Sequence, residues 1–130
     1  MTPIRILLVD LPTLLRDILA EALASESDME VVGSALTRAE LIPLWRQFTP
    51  NVVVVGAERD DAATLAHDLR AAAPAITVVA IAPKGDRAIV FSRHSAPVVL
   101  SDVSSTSLIM AIRDYSDVNG STKFPPGRLS

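Results

Sequence analysis

The chain has 130 residues, 49% of them hydrophobic and 21% charged, with a formal net charge of −3 at pH 7, which fits one compact domain and disfavours a disordered chain. The negative net charge disfavours nucleic-acid binding by this segment, and the absence of cysteine excludes disulfide scaffolds and thiol catalysis. Because Met1–Arg5 lacks the features of a signal peptide and no apolar run approaches the roughly 18 residues of a membrane span, we expect a cytoplasmic protein without a membrane partner.

Short runs rich in valine and isoleucine alternate with longer segments of helical period. This alternation is typical of repeated βαβ units. The uninterrupted apolar character of a run such as Val52–Val55 indicates a strand that is covered on both faces. We therefore predict an α/β fold in which a five-stranded parallel sheet lies between two layers of helices. The predicted strands are Ile4–Val9, Met29–Gly33, Val52–Val55, Ala75–Ala82 and Pro97–Leu100.

The segments between and after these strands predict five helices. In the second, Thr37 and Glu40 form a capping-box pattern, and Pro43 predicts a late start or a kink because an interior proline costs about 3 kcal/mol. Residues 118–130 contain glycine, serine and two prolines, which predicts a linker or tail after a domain of residues 1–117. The helices are predicted at Pro12–Ala24, from Thr37 onward, at Asp61–Ala72, within Asp86–Ser95 and at Ser104–Tyr115.

The ends of the predicted strands carry almost none of the charged side chains that chemistry requires. In an open α/β sheet, ligands and catalytic groups lie beyond the carboxyl ends of the strands. The residues at these ends are Asp10, Leu11, Gly56, Ala82 and Ser101, among which only Asp10 is charged. We therefore expect no catalytic residue, no bound metal and no cofactor at this edge.

Several short pieces of sequence occur in a characteristic order over about residues 4–115. They are Ile6–Asp10 with Leu14–Arg16, Glu30–Gly33, Thr49–Val53, Leu69–Pro74 and Ser101–Asp102. In this order they resemble the receiver domain of bacterial response regulators, most closely the branch in which a helix-turn-helix DNA-binding domain follows the receiver. The resemblance implies a flavodoxin-like (βα)5 fold with three layers.

The resemblance also implies where phosphorylation chemistry would lie. Receivers accept a phosphoryl group on an aspartate after the third strand, hold magnesium with that aspartate and an acidic pair after the first, and contact the phosphoryl oxygens with a hydroxyl and a lysine. Here the acidic pair corresponds to Asp10 and Leu11, the acceptor to Gly56, the hydroxyl to Ala82 and the lysine to Ser101. Glycine has no nucleophile, and Asp10 alone would hold magnesium poorly. The chain therefore resembles a degenerate receiver that is not phosphorylated.

Other titratable groups give weaker signals. Glu58, Asp60 and Asp61 could fold back to form a displaced cation site, although acidic residues at the start of a helix are explained by the helix dipole. His67 and His94 have no carboxylate or second histidine at metal-ligand spacing, so we expect them to be surface or partly packed side chains.

These observations favour a non-enzymatic regulatory and dimerisation domain that works without aspartyl phosphorylation. In that reading the chain is the amino-terminal part of a transcription regulator, and DNA contact belongs to a carboxy-terminal domain absent from this chain. The last predicted helix directs Met110, Arg113 and Asp114 outward, which makes them a candidate interface of a homodimer.

Two alternatives belong to different functional classes. One is a small-molecule sensor whose ligand occupies the crevice beyond the strand ends. This crevice has room for an apolar ligand. We also expect four side chains to lie beside it and to pair with an anionic ligand: Lys84, Arg87, Arg93 and His94. The other is a stand-alone adaptor that binds another protein.

Overall fold

The computed structural model describes residues 3–57, 59–82, 84–93, 95–101 and 103–115. These residues form six strands and four α-helices. The strands are β1 (Ile4–Val9), β2 (Met29–Ala35), β3 (Val52–Gly56), β4 (Thr77–Ile81), β5 (Ala88–Ser92) and β6 (Ser95–Leu100). The helices are α1 (Thr13–Ala24), α2 (Leu41–Phe48), α3 (Arg59–Ala72) and α4 (Ser105–Tyr115), and a 3₁₀ turn, Arg38–Glu40, precedes α2. The predicted linker at residues 118–130 lies outside the described residues.

The strands form a single mixed sheet in the order β2-β1-β3-β4-β5-β6. The first four are parallel to one another, in the order that flavodoxin-like sheets share. β5 runs antiparallel to both β4 and β6. The α/β class is confirmed, but the prediction of five parallel strands is wrong, because a sixth and antiparallel strand lies within the sheet.

The additional strand replaces the helix that was predicted within Asp86–Ser95. Only residues 82–87 separate β4 from β5, whereas a crossover between parallel strands needs about a dozen residues or more. The chain instead turns back at Gly85, which has a φ of 75° that glycine adopts without strain. The segment Ile89–Phe91 is β-branched and aromatic, a composition that favours a strand over a helix.

Helix α2 begins late, as the proline predicted. Its first residue is Leu41, so Pro43 lies in the first turn, where the missing N–H has no helical acceptor to lose. Thr37 is extended just before the 3₁₀ turn, and its hydroxyl lies 3.4 Å from Glu40 Oε2. No side-chain capping bond to the backbone forms there, so the capping box is present as a contact between side chains only.

Helices cover both faces of the sheet and enclose two apolar clusters. On one face, α1 and α4 contribute Leu19, Leu23, Leu108 and Ile112. On the other face, α2 and α3 contribute Leu41, Ala62, Ala66 and Leu69. The strands between the two layers are apolar on both sides because each side is covered.

The large apolar side chains of α1 are buried only in part. Leu19 and Leu23 are buried, whereas Ile18 is 47% exposed. Among the described residues, no helix is long and apolar enough to cross a membrane. The large apolar side chains that the described surface exposes are Leu14, Ile18, Leu36, Ile42, Val99 and Met110.

Candidate functional site

The ends of β1 and β3 meet so closely that no side chain fits at residue 56. Val9 pairs with Val55, and the next residue, Asp10, has a left-handed φ of 54°. Its N–H donates to the Ala35 carbonyl at 3.0 Å, which holds this turn against the end of β2. A Cβ on Gly56 would overlap with the Asp10 carbonyl oxygen. Residue 56, to which the resemblance assigns the phosphoryl acceptor, is therefore closed by the backbone at the end of the neighbouring strand.

A guanidinium group lies beside these strand ends. Because β2 is the neighbour of β1, the 3₁₀ turn after β2 brings Arg38 to the same edge of the sheet. Arg38 Nη2 donates to the Gly56 carbonyl at 3.0 Å, and Arg38 Nε lies 3.4 Å from Asp10 Oδ2. Nε is fully buried and has no hydrogen-bond partner among the described residues, so its contact with Asp10 is an ion pair without a well-aligned hydrogen bond.

A cavity of about 380 Å³ opens beside this pair. Its apolar lining consists of Leu11, Pro12, Gly56 and Ala57, and its charged side chains are Asp10, Arg38 and Asp61. Asp61 belongs to the first turn of α3, where negative charge is favourable near the helix N-terminus. No hydrogen bond or ion pair joins the carboxylate of Asp61 to the rest of the described chain. The cavity thus combines two carboxylates with one guanidinium.

The structure does not bring the five positions implied by the resemblance into one site. Asp10, Leu11 and Gly56 line the cavity, but Ala82 and Ser101 do not. Ala82 lines a separate cavity of about 120 Å³ with Arg87 and Val99, and its N–H donates to the Arg87 carbonyl at 2.9 Å.

Ser101 is displaced because β5 lies between β4 and the strand that Ser101 follows. Neighbouring strands are about 4.8 Å apart, so an intervening strand places β6 about 10 Å from β4. Ser101, to which the resemblance assigns the place of a lysine, is therefore one strand farther from Gly56 than the expected five-stranded sheet would place it.

The positively charged side chains expected beside the strand ends lie at two opposite edges of the sheet. Lys84 and Arg87 lie in the turn before β5, at the carboxyl end of β4. Arg93 follows β5, whose Phe91 pairs with Val78 near the start of β4. Because β5 is antiparallel, Arg93 is at the opposite edge, and the expectation that it adjoins the crevice is wrong. His94 lies outside the described residues.

The remaining titratable candidates do not assemble into a metal site in the part of the chain that is described. His67 is exposed on α3, and Asp60 and Asp61 lie in the first turn of that helix. Glu58 lies outside the described residues. No group of three or more acidic or histidine side chains within the described ranges is placed to hold a metal ion.

The three interface candidates on α4 have different environments. Met110 is 56% exposed, and Asp114 is exposed. Arg113 is half-buried: its Nε donates to Asp28 Oδ2 at 2.7 Å, and its Nη2 donates to Glu26 Oε1 at 2.7 Å. The hydrogen bond that Arg113 donates to Asp28, followed by the one that it donates to Glu26, raises the pKa of the Arg113 guanidinium above its ordinary value. Arg113 was expected to face outward, but it connects α4 to the loop between α1 and β2.

The sequence reading missed Arg38, the only positively charged side chain that lines the 380 Å³ cavity among the described residues. A usable signal existed, because a flavodoxin-like strand order makes β2 the neighbour of β1 and brings the segment after β2 to the same edge as Asp10.

A scan against protein-family models finds no match for this chain, and a search of curated proteins finds no relative.

Proposed function

We propose that the chain is a non-enzymatic regulatory domain of receiver type that works without aspartyl phosphorylation. The observation that carries the proposal is the overlap between the Asp10 carbonyl oxygen and any Cβ at Gly56. An acceptor aspartate is absent, and the backbone also occupies the space in which its side chain would begin.

The charges beside Gly56 support the same proposal. Phosphoryl transfer depends on cations that neutralise the transferring group, usually a metal ion together with lysine or arginine. Here two nitrogens of the Arg38 guanidinium already face partners within the chain: Nη2 donates to the Gly56 carbonyl, and Nε lies beside the Asp10 carboxylate. Ser101 replaces the expected lysine and lies beyond an intervening strand. The strand ends beside Gly56 therefore lack both an acceptor nucleophile and the arrangement of positive charge on which phosphoryl transfer depends.

The test is incubation with acetyl phosphate and magnesium, followed by intact mass measurement. We expect no phosphoryl adduct on the unaltered chain, and none on Gly56→Asp, because the new side chain would overlap with the Asp10 backbone. A receiver that retains its acceptor aspartate, treated in parallel, shows that the reagent is active. A stoichiometric adduct on the unaltered chain would overturn the proposal, and one on Gly56→Asp would contradict the closed acceptor position.

In the proposed role, the domain dimerises in the cytoplasm and controls a DNA-binding domain that lies beyond this chain. Helices α1 and α4 pack beside each other in one layer, and both expose large apolar side chains. Leu14 is 72% exposed, Ile18 is 47% exposed and Met110 is 56% exposed. Leu14 and Ile18 are four residues apart and therefore lie on the same side of α1, and adjoining exposed apolar side chains are characteristic of interaction surfaces. A second copy of the chain is the occupant that the proposed dimer requires.

A second candidate function is small-molecule sensing at the vacated strand ends. The observation that favours it is the 380 Å³ cavity, whose lining is partly apolar and carries three charged side chains. Ligand sites combine an apolar lining with a few convergent polar groups, and volumes of about 300–1,000 Å³ are usual. In this role the ligand, rather than a phosphoryl group, sets the state of the domain.

A further inference from the structure

The charges of the cavity discriminate between classes of ligand. Two carboxylates, Asp10 and Asp61, and one guanidinium, Arg38, line its walls. Because the two carboxylates outnumber the guanidinium, a simple anion would be repelled, whereas a simple cation could pair with Asp61 but would leave Arg38 without a ligand contact. A molecule that carries both signs of charge can be oriented so that each end meets its opposite, and electrostatic complementarity of this kind produces specificity.

The carboxylate of Asp61 provides the first contact for such a molecule. It is exposed at the start of α3 and makes no hydrogen bond or ion pair with the described residues. Asp10, by contrast, already has Arg38 within 3.4 Å. An ammonium group that enters the cavity would therefore find Asp61 available, and its binding there would not require an existing ion pair to break.

Arg38 provides the second contact. Its Nε is fully buried beside Asp10 and its Nη2 donates to the Gly56 carbonyl, so Nη1, which makes no hydrogen bond with the described residues, is the nitrogen left for a ligand. A carboxylate is the acceptor that this nitrogen favours, because a hydrogen bond between a guanidinium and an ionised oxygen is stronger than one between neutral groups. A ligand carboxylate is therefore the group expected at this end of the cavity.

We propose that this cavity binds a small zwitterionic amino compound of the α-amino acid class with a short apolar side chain. Arg38 binds the carboxylate, Asp61 binds the ammonium group, and the side chain lies against Leu11 and Ala57. The inference rests on the second candidate function, small-molecule sensing, and names the class of ligand for it.

The experiment measures binding of L-alanine, L-valine and L-leucine to the purified chain by calorimetry. Each amino acid is compared with its amide, which lacks the carboxylate, and with the carboxylic acid that lacks the amine. We expect at least one amino acid to bind, and its two analogues to bind at least ten times more weakly. Absence of binding by all three amino acids at millimolar concentration would overturn the inference, as would equal affinity for an amino acid and its amide.

A matched pair of variants locates the ligand. Asp60 and Asp61 are adjacent and exposed in the first turn of α3, but only Asp61 lines the cavity. We expect Asp61→Asn to lower the affinity at least tenfold and Asp60→Asn to leave it unchanged, with the melting temperature of the ligand-free chain the same in both. Equal losses in the two variants, or no loss in either, would overturn the assignment.

The calorimetry and the acetyl phosphate incubation test the ligand and the proposed function independently. Failure of the amino acids to bind would overturn the ligand assignment while the acetyl phosphate result still stands. A phosphoryl adduct would overturn the proposed function whatever the calorimetry shows.

Discussion

Gly56 shows how one residue can decide the chemistry of a strand end. Its neighbour across β1 and β3 is the left-handed turn at Asp10, whose carbonyl oxygen occupies the place of a Cβ. Arg38 then donates to the Gly56 carbonyl at 3.0 Å, so the glycine contributes a backbone acceptor in place of a side chain. The absence of a side chain at residue 56 is therefore a packing requirement.

This packing requirement predicts an unusually large effect of a single methyl group. Gly56→Ala should lower the free energy of unfolding by about 3 kcal/mol, because overpacking against backbone cannot be relieved by a rotamer change. Gly85→Ala is the control: Gly85 has a φ of 75° but open space around its Cβ position, so only strain of about 1 kcal/mol is expected. Urea unfolding of both variants measures the difference. Equal losses would contradict the close approach of Asp10 to Gly56.

At the scale of elements, β5 accounts for most of the difference between the expected and observed fold. The short segment before Ala88 cannot cross over to a parallel strand, so the chain returns antiparallel beside β4. This insertion separates Ser101 from the other strand ends and reverses the position of Arg93. Pro97 lies in the edge strand β6, where its missing N–H disfavours pairing with a further strand.

The exposed apolar side chains of α1 and α4 predict which helical layer forms the proposed dimer. Ile18→Glu and Met110→Glu should each shift the chain from dimer to monomer, because a charge would be buried in an apolar interface. Ile42→Glu is the control, since Ile42 is 41% exposed on α2, on the other face of the sheet.

Sedimentation equilibrium over a range of concentrations measures the association of all three variants. A monomeric unaltered chain would contradict the predicted dimer. Dissociation by Ile42→Glu alone would contradict the assignment of the interface to α1 and α4.

At the scale of the whole molecule, the two apolar clusters share the same strands. Leu7 and Val53 point to the layer of α2 and α3, whereas Ile6 and Val52, their neighbours in sequence, point to the layer of α1 and α4. The Thr77 hydroxyl also donates to the Tyr115 carbonyl at 2.9 Å, which connects β4 to the end of α4. Neither cluster can therefore lose its strands without exposing the other.

We accordingly predict that the domain unfolds in one cooperative transition. Ile112→Ala in α4 and Leu69→Ala in α3 should each lower the free energy of unfolding by about 2–5 kcal/mol. Trp45 packs with the cluster on the α2 and α3 side. The midpoint of unfolding measured by Trp45 fluorescence should nevertheless shift together with the midpoint measured by far-UV circular dichroism in both variants. A Trp45 transition that is unchanged by Ile112→Ala would show that the two faces unfold independently.

Local patterns were sufficient to predict much of the fold. The valine and isoleucine runs predicted five of the six strands in the described residues, and the helical periods predicted α1, α3 and α4 to within about two residues at each end. Pro43 predicted the late start of α2, because the effect of a proline on a helix is local. The helix predicted within Asp86–Ser95 is wrong, although the composition of Ile89–Phe91 favours a strand. The antiparallel direction of that strand depends on β4, beside which it lies.

Sequence patterns alone were sufficient to predict an α/β domain and to identify the residues at its strand ends, since both are local facts. Those patterns did not show that β5 joins the sheet, that the Asp10 backbone closes the space beside Gly56, or that Arg38 and Asp61 line one cavity. These features join residues from separate segments of the chain, and their relative positions depend on strand order and on the path of each turn. Propensity and periodicity act within a segment and carry no information about such distances.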